Sequence, residues 1–180
     1  MVASKSRNAT TEVATVSQTV AEDAETEINE LSGVVIDAAM KVHTALGAGL
    51  LEHVYKACLR HELMRRGIHV RSEVTLPVFY DGITIDIGYR LDLLVEDRII
   101  IELKSVEQIT SLHRAQLLTY LKLARKTVGL IVNFNTPHLR NGIVRLINSS
   151  ASPASSVVAF KNENATAEDA GDAEEKPKPP

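Results

Sequence analysis

Three charged residues at fixed spacing define the chemistry open to this chain: Asp92, Glu102 and Lys104. Hydrolysis of a phosphodiester by one or two metal ions needs carboxylates that hold Mg²⁺, because the ion activates a water and neutralises charge developing on the phosphate. A fixed cation beside the attacking water helps further. In the run Ile99-Ile100-Ile101-Glu102-Leu103-Lys104 the two charges lie two apart, so on a strand they share one face while Ile101 and Leu103 take the other. An Ile-rich strand is expected at the middle of a sheet, where charges are costly unless paired or bound to a metal. Taken alone, Glu-x-Lys is short enough to recur by chance, and a surface ion pair is its bland reading. The isoleucine run, Leu103 and Asp92 upstream weigh against that.

Asp92 joins the pair only if the register allows it. Residues 92–104 read as a β-hairpin turning at Glu96, Asp97 and Arg98. A two-residue turn would set Asp92 opposite Ile101. An odd turn centred on Asp97, or a bulge, sets it opposite Glu102, and that register is the expected one.

The elements that must position these residues are legible from periodicity. Apolar residues at three- and four-residue intervals predict an amphipathic helix over 28–46, stopped at Gly47-Ala48-Gly49. A second helix is expected over 52–66, closed by Gly67, with Leu51, Val54 or Tyr55, Cys58 or Leu59, and Leu63 on its buried side. Short strands follow over 69–76 and 78–80, then a turn at Asp81-Gly82 and a strand over 83–95 in which Gly88 marks a bend or bulge. After the 92–104 hairpin come a helix over 111–125, a buried strand over 127–134 and a last strand over 142–147. The fold class expected is α/β, a mixed central β-sheet flanked by helices.

Composition divides the chain. Residues 1–27 and 149–180 are rich in Ala, Ser, Thr and acid with Phe160 as their one aromatic, and are expected to be a disordered N-terminal tail and a disordered acidic, Pro-containing C-terminal tail. The domain is therefore expected over 28–148. The whole chain carries net charge −3, yet 28–148 hold 15 Lys or Arg against 12 Asp or Glu, a net +3 that suits an anionic partner. Cys58 is the lone cysteine, which leaves no disulfide framework or cysteine-built zinc site and points to a reducing cytoplasm. No stretch approaches the length of a membrane span, and the start lacks an apolar signal core. The six histidines show no paired metal spacing; His113 faces the same stripe as Gln116, where a phosphate contact competes with a plain exposed helix position. Nucleophile-elbow, P-loop and G-x-G-x-x-G patterns are absent.

Asp92 followed by Glu102-x-Lys104, then a helix and a buried strand ending at Asn133-Phe134, resembles the active-site core of the PD-(D/E)XK nuclease superfamily. Gly49-Leu50-Leu51-Glu52-His53-Val54-Tyr55 matches the pattern for which that superfamily's GxxExxY family is named, and Gln116 with Tyr120 matches the Q-x-x-x-Y pattern of exonuclease-like branches. Leu91 stands where the motif's name has Pro. The resemblance covers about residues 28–148 and implies a restriction-endonuclease-like core and a Mg²⁺-dependent deoxyribonuclease, with Mn²⁺ as substitute. It also implies that Asp92, Glu102, the Leu103 carbonyl and Glu52 hold the metal. Lys104 would position or deprotonate the attacking water, while Gln116 and Tyr120 orient the motif or contact nucleic acid. Helix spacing agrees: Gly49, Glu52 and Tyr55 share one face, and His113, Gln116 and Tyr120 another. The expected partner is nucleic acid, DNA by preference, with no membrane and with room for a homodimer or protein partner. The rival reading is a catalytically silent nuclease-fold module of a repair or defence complex.

Overall fold

The computed structural model describes residues 5–151. Its sheet is built outward from the isoleucine-rich strand. Ile99, Ile100, Ile101 and Leu103 are all fully buried, which a strand can achieve only with neighbours on both edges and cover on both faces. The elements in chain order are α1 (Lys5–Leu46), α2 (Glu52–Arg65), β1 (Val70–Tyr80), β2 (Ile83–Val95), β3 (Ile99–Lys104), α3 (Ser111–Leu123), β4 (Val128–Asn133) and β5 (Ile143–Ile147). Two 3₁₀ turns, Leu139–Gly142 and Ser149–Ala151, flank β5.

The five strands lie in the order β1-β2-β3-β4-β5, so β3 is central. Only β3 and β4 are parallel, and α3 makes the crossover that parallel neighbours require. One face packs Val35, Ala38, Ala39 and Val42 of α1 and Tyr55, Leu59 and Leu63 of α2 against Leu93, Ile101, Leu103 and Val132. The other packs Leu117, Tyr120 and Leu121 of α3 against Leu91, Leu94, Ile100 and Ile131. The result is the expected mixed sheet between helices.

The turn between β2 and β3 takes the odd length. Glu96 and Asp97 adopt left-handed backbone angles (φ 49° and 52°), and Arg98 N–H closes the turn on the Val95 carbonyl at 2.9 Å. Val95 therefore pairs with Ile99, Leu94 with Ile100 and Leu93 with Ile101, the register whose next step sets Asp92 against Glu102. The turn is held from outside: Glu96 accepts the His69 N–H at 2.6 Å, and Asp97 binds Arg71 at 2.5 Å and Lys126 at 2.9 Å.

Two glycines are demanded by close approach. The β1–β2 ladder shifts register between Leu76 and Val78, and there a Cβ on Gly88 would lie 2.1 Å from the Leu76 carbonyl oxygen. The two short runs expected over 69–80 are accordingly one strand with a bulge. A Cβ on Gly129 would come within 2.8 Å of Leu117, so glycine at this point of β4 lets α3 settle onto the sheet.

Residues 5–27, expected as a disordered tail, differ: they form the first half of α1. Low apolar content says that the segment has little to bury, but between Lys5 and Leu46 there is no proline, and Ala and Glu recur throughout. The helix is tied to the domain where Arg98 reaches Glu27 at 3.0 Å and the Ala24 carbonyl at 3.2 Å. Of the C-terminal tail, residues 152–180 lie outside those described.

Candidate active site

The chemistry-bearing residues gather where β2 and β3 part. Their ladder stops at Leu93↔Ile101, one step short of Asp92 and Glu102. On the other side of β2 the ladder also skips a step. Ser72↔Leu93 and Val74↔Leu91 are paired, while Glu73 between them takes a left-handed φ of 56°. Asp92 thus sits at an irregular point of its strand, and its side chain supplies the acceptor that the departing backbone does not: Leu103 N–H donates to Asp92 Oδ2 at 3.0 Å. Asp92 Oδ1 accepts from Lys56 Nζ of α2, also at 3.0 Å. A carboxylate wedged between two strands and fixed at both oxygens has little rotational freedom.

Glu102 is 3% exposed. Its Oε1 accepts from Lys104 Nζ at 2.6 Å, whereas Oε2 is buried without a hydrogen-bond partner, the one such side-chain atom among the described residues. Burial pushes the Glu102 carboxyl up to about 7. Lys104 pulls it down, and the charges of Asp92 and Glu52 push it up further. Burial alone would lower Lys104, but its bond to Glu102 and the surrounding acids outweigh that and raise it.

Glu52 opens α2 in its first turn, where a negative charge suits the helix N-terminus. Its field reaches both Glu102 and Lys104. It does not close on the pair: among the described residues no three of His, Cys, Asp and Glu gather as a metal-binding group. The donors that fit a hard divalent cation are therefore Asp92 and Glu102, whose unpartnered Oε2 is what an oxygen-seeking ion would satisfy, with the Leu103 carbonyl next after Glu102 on the same strand.

The Q-x-x-x-Y residues form their own pair one turn apart on α3. Gln116 Nε2 donates to Tyr120 Oη at 2.6 Å. Tyr120 is nearly buried, and burial raises its pKa, with the Gln116 bond opposing and Glu102 adding to it. Tyr89 of β2 lies against its ring, centroids 5.3 Å apart. His113 serves the helix itself: Thr110 caps the His113 N–H, and His113 Nδ1 accepts from Thr110 N–H at 3.1 Å, a reciprocal cap with imidazole in place of the usual carboxylate.

Further residues brace the site. Tyr55 is fully buried and stacked on Phe134 at 4.4 Å; its hydroxyl donates to the Gly47 carbonyl at 2.7 Å and accepts from Leu50 N–H at 3.0 Å. It thus fixes the loop that launches α2 and Glu52, and does more than pack. Ser105, next after Lys104, donates to the Leu50 carbonyl at 2.8 Å and ties the end of β3 to that same loop. Asn133, buried at the end of β4, clamps Val106 through both its amide atoms at 3.1 and 2.8 Å. Lys56 and Glu73 belong to none of the sequence motifs. Lys56 lies four residues after Glu52 on one helical face, a spacing visible in the sequence, whereas the Asp81-Gly82 turn alone would set Glu73 opposite Arg90 and only the shift between Leu76 and Val78 brings it opposite Asp92.

Two strands part around a buried carboxylate, with a lysine on the same strand and an acid at the start of α2. No helix among the described residues is long and apolar enough to cross a membrane. No curated protein and no solved structure matches the chain significantly. A family model does, over residues 29–146, which include every residue of the site: the chain belongs to the PD-(D/E)XK nuclease superfamily.

Proposed function

We propose that the protein is a divalent-metal-dependent nuclease of the GxxExxY branch, hydrolysing phosphodiester bonds in DNA. The observation that carries the reading is Glu102: a deeply buried carboxylate with one oxygen on Lys104 and the other unpartnered, beside an Asp92 locked between the strands. A protein without use for that arrangement would gain from an apolar residue there, since an unsatisfied buried carboxylate oxygen is costly.

Asp92 and Glu102 would hold Mg²⁺ or Mn²⁺, with the Leu103 carbonyl as a third oxygen donor. The ion would supply a water of lowered pKa and neutralise charge on the phosphate. Lys104, fixed by Glu102 and raised in pKa, remains protonated and orients the attacking water while offsetting phosphate charge. Glu52 acts on the same space from α2 through its field, and Gln116 and Tyr120 form a hydrogen-bonded wall on the α3 side. The excess of basic residues over 28–148 supports a polyanionic substrate. With a core this small, sequence selectivity either comes from a second copy or a protein partner or is absent.

The test is cleavage of end-labelled single- and double-stranded DNA and RNA in Mn²⁺ by wild type and Lys104→Ala. Wild type should cut DNA, and the variant should lose at least about a hundredfold in rate, the usual scale for a removed catalytic group. Cleavage by both at equal rate, or by neither on any substrate, contradicts the proposal.

A further inference from the structure

Lys56 ties the site to a residue outside every motif. Its Nζ lies 3.0 Å from Asp92 Oδ1 and is hydrogen-bonded to Glu73 Oε1 as well. Glu73 faces Asp92 across the skipped step of the β1–β2 ladder, held there in a left-handed backbone conformation, and its other oxygen binds Arg90 Nε at 2.6 Å. The Lys56 ammonium is thus shared between two carboxylates, one of them a metal ligand in the reading above. Lys104 occupies Glu102 in the same way.

A divalent ion approaching Asp92 meets an oxygen already neutralised by an ammonium, and two cations cannot share its lone pairs without strong repulsion. Lys56 differs from an ordinary ion-pair partner in having somewhere else to go: Glu73 is already bonded to it. Resting on the metal-dependent reading, we propose that Lys56 is a built-in competitor of the metal at Asp92 and that Glu73 is the carboxylate onto which it withdraws when the metal binds. The three side chains then form an exchange device. Asp92 passes between an internal and an external cation, and Glu73 sets how readily it does so.

The device predicts both the sign and the coupling of two substitutions. Lys56→Met keeps the aliphatic stem and removes the competitor, so Mn²⁺ should bind roughly five- to thirtyfold more tightly, the span expected for charges in direct contact. Glu73→Gln leaves Lys56 with Asp92 alone and should weaken Mn²⁺ several-fold. The decisive result is the double variant: without Lys56, Glu73→Gln should change affinity by less than about twofold, whereas a mere field effect of the Glu73 charge would persist.

The measurement is calorimetric titration of MnCl₂ into the metal-free full chain, with circular-dichroism melts to show that each variant folds and Lys56→Gln as a second test should Lys56→Met not fold. Unchanged or weaker binding on loss of Lys56, or a Glu73→Gln effect undiminished in the double variant, overturns the exchange device while wild-type binding keeps the nuclease reading intact. Absence of Mn²⁺ binding in wild type and in every variant overturns both.

Discussion

At the scale of the residue, Glu102 carries an unfavourable ionisation that the sequence pattern only hinted at. Alternation on an isoleucine-rich strand showed that Glu102 and Lys104 share a face. It could not show that one carboxylate oxygen would be buried without a partner, because that depends on where β2 leaves β3. The consequence is measurable. Burial raises the Glu102 carboxyl from 4.5 to about 7, so between those values the folded chain holds a proton that the unfolded chain has released. Metal-free stability should therefore fall as pH rises through that window and level off above it. Glu102→Gln has no proton to lose. Chemical denaturation in the presence of a chelator should find the variant close to wild type near pH 4.5 and more stable by on the order of 2–3 kcal/mol at about pH 8. A stability difference independent of pH would show that Glu102 is not held in a proton-binding environment.

At the scale of the element, the α3–β4 contact decides how firmly the Gln116–Tyr120 wall stands over the site. Leu117, one residue after Gln116, rests directly on Gly129, where a Cβ would lie 2.8 Å from its nearest atom. Gly129→Ala should force α3 outward and destabilise by about 1–3 kcal/mol, read as a lowered urea midpoint with unchanged slope. A midpoint within error of wild type would mean that α3 is not seated on that glycine. Element types and order were legible because 3.6- and 2-residue periodicities are local properties, and the hairpin register followed from turn length alone. Over the first half of α1, composition and helix propensity point in different directions. Residues 5–27 lack apolar surface to bury, yet they contain no helix breaker, and those are separate questions. Reciprocal capping by Thr110 and His113 was likewise hidden, because imidazole is not the usual partner in that motif.

At the scale of the whole molecule, the site exists only because elements far apart in sequence meet at the end of β3. α2 brings Glu52 and Lys56, β1 brings Glu73, β2 brings Asp92 and α3 brings Gln116 and Tyr120. Motif spacing identified the residues whose types announce chemistry, and membership of the nuclease superfamily accords with that reading. Lys56, Glu73 and Ser105 lie outside those motifs and become informative only once their partners are in place. The central claim is that Asp92 and Glu102 form one cation-binding centre. The most direct test is titration of Mn²⁺ into wild type and Asp92→Ala, followed calorimetrically on folded, metal-free protein. One site in wild type that is lost, or weakened at least about a hundredfold, in Asp92→Ala is the predicted result, since removing one of two carboxylates takes away half of the anionic ligand charge. Equal binding of Mn²⁺ by the two proteins would contradict it.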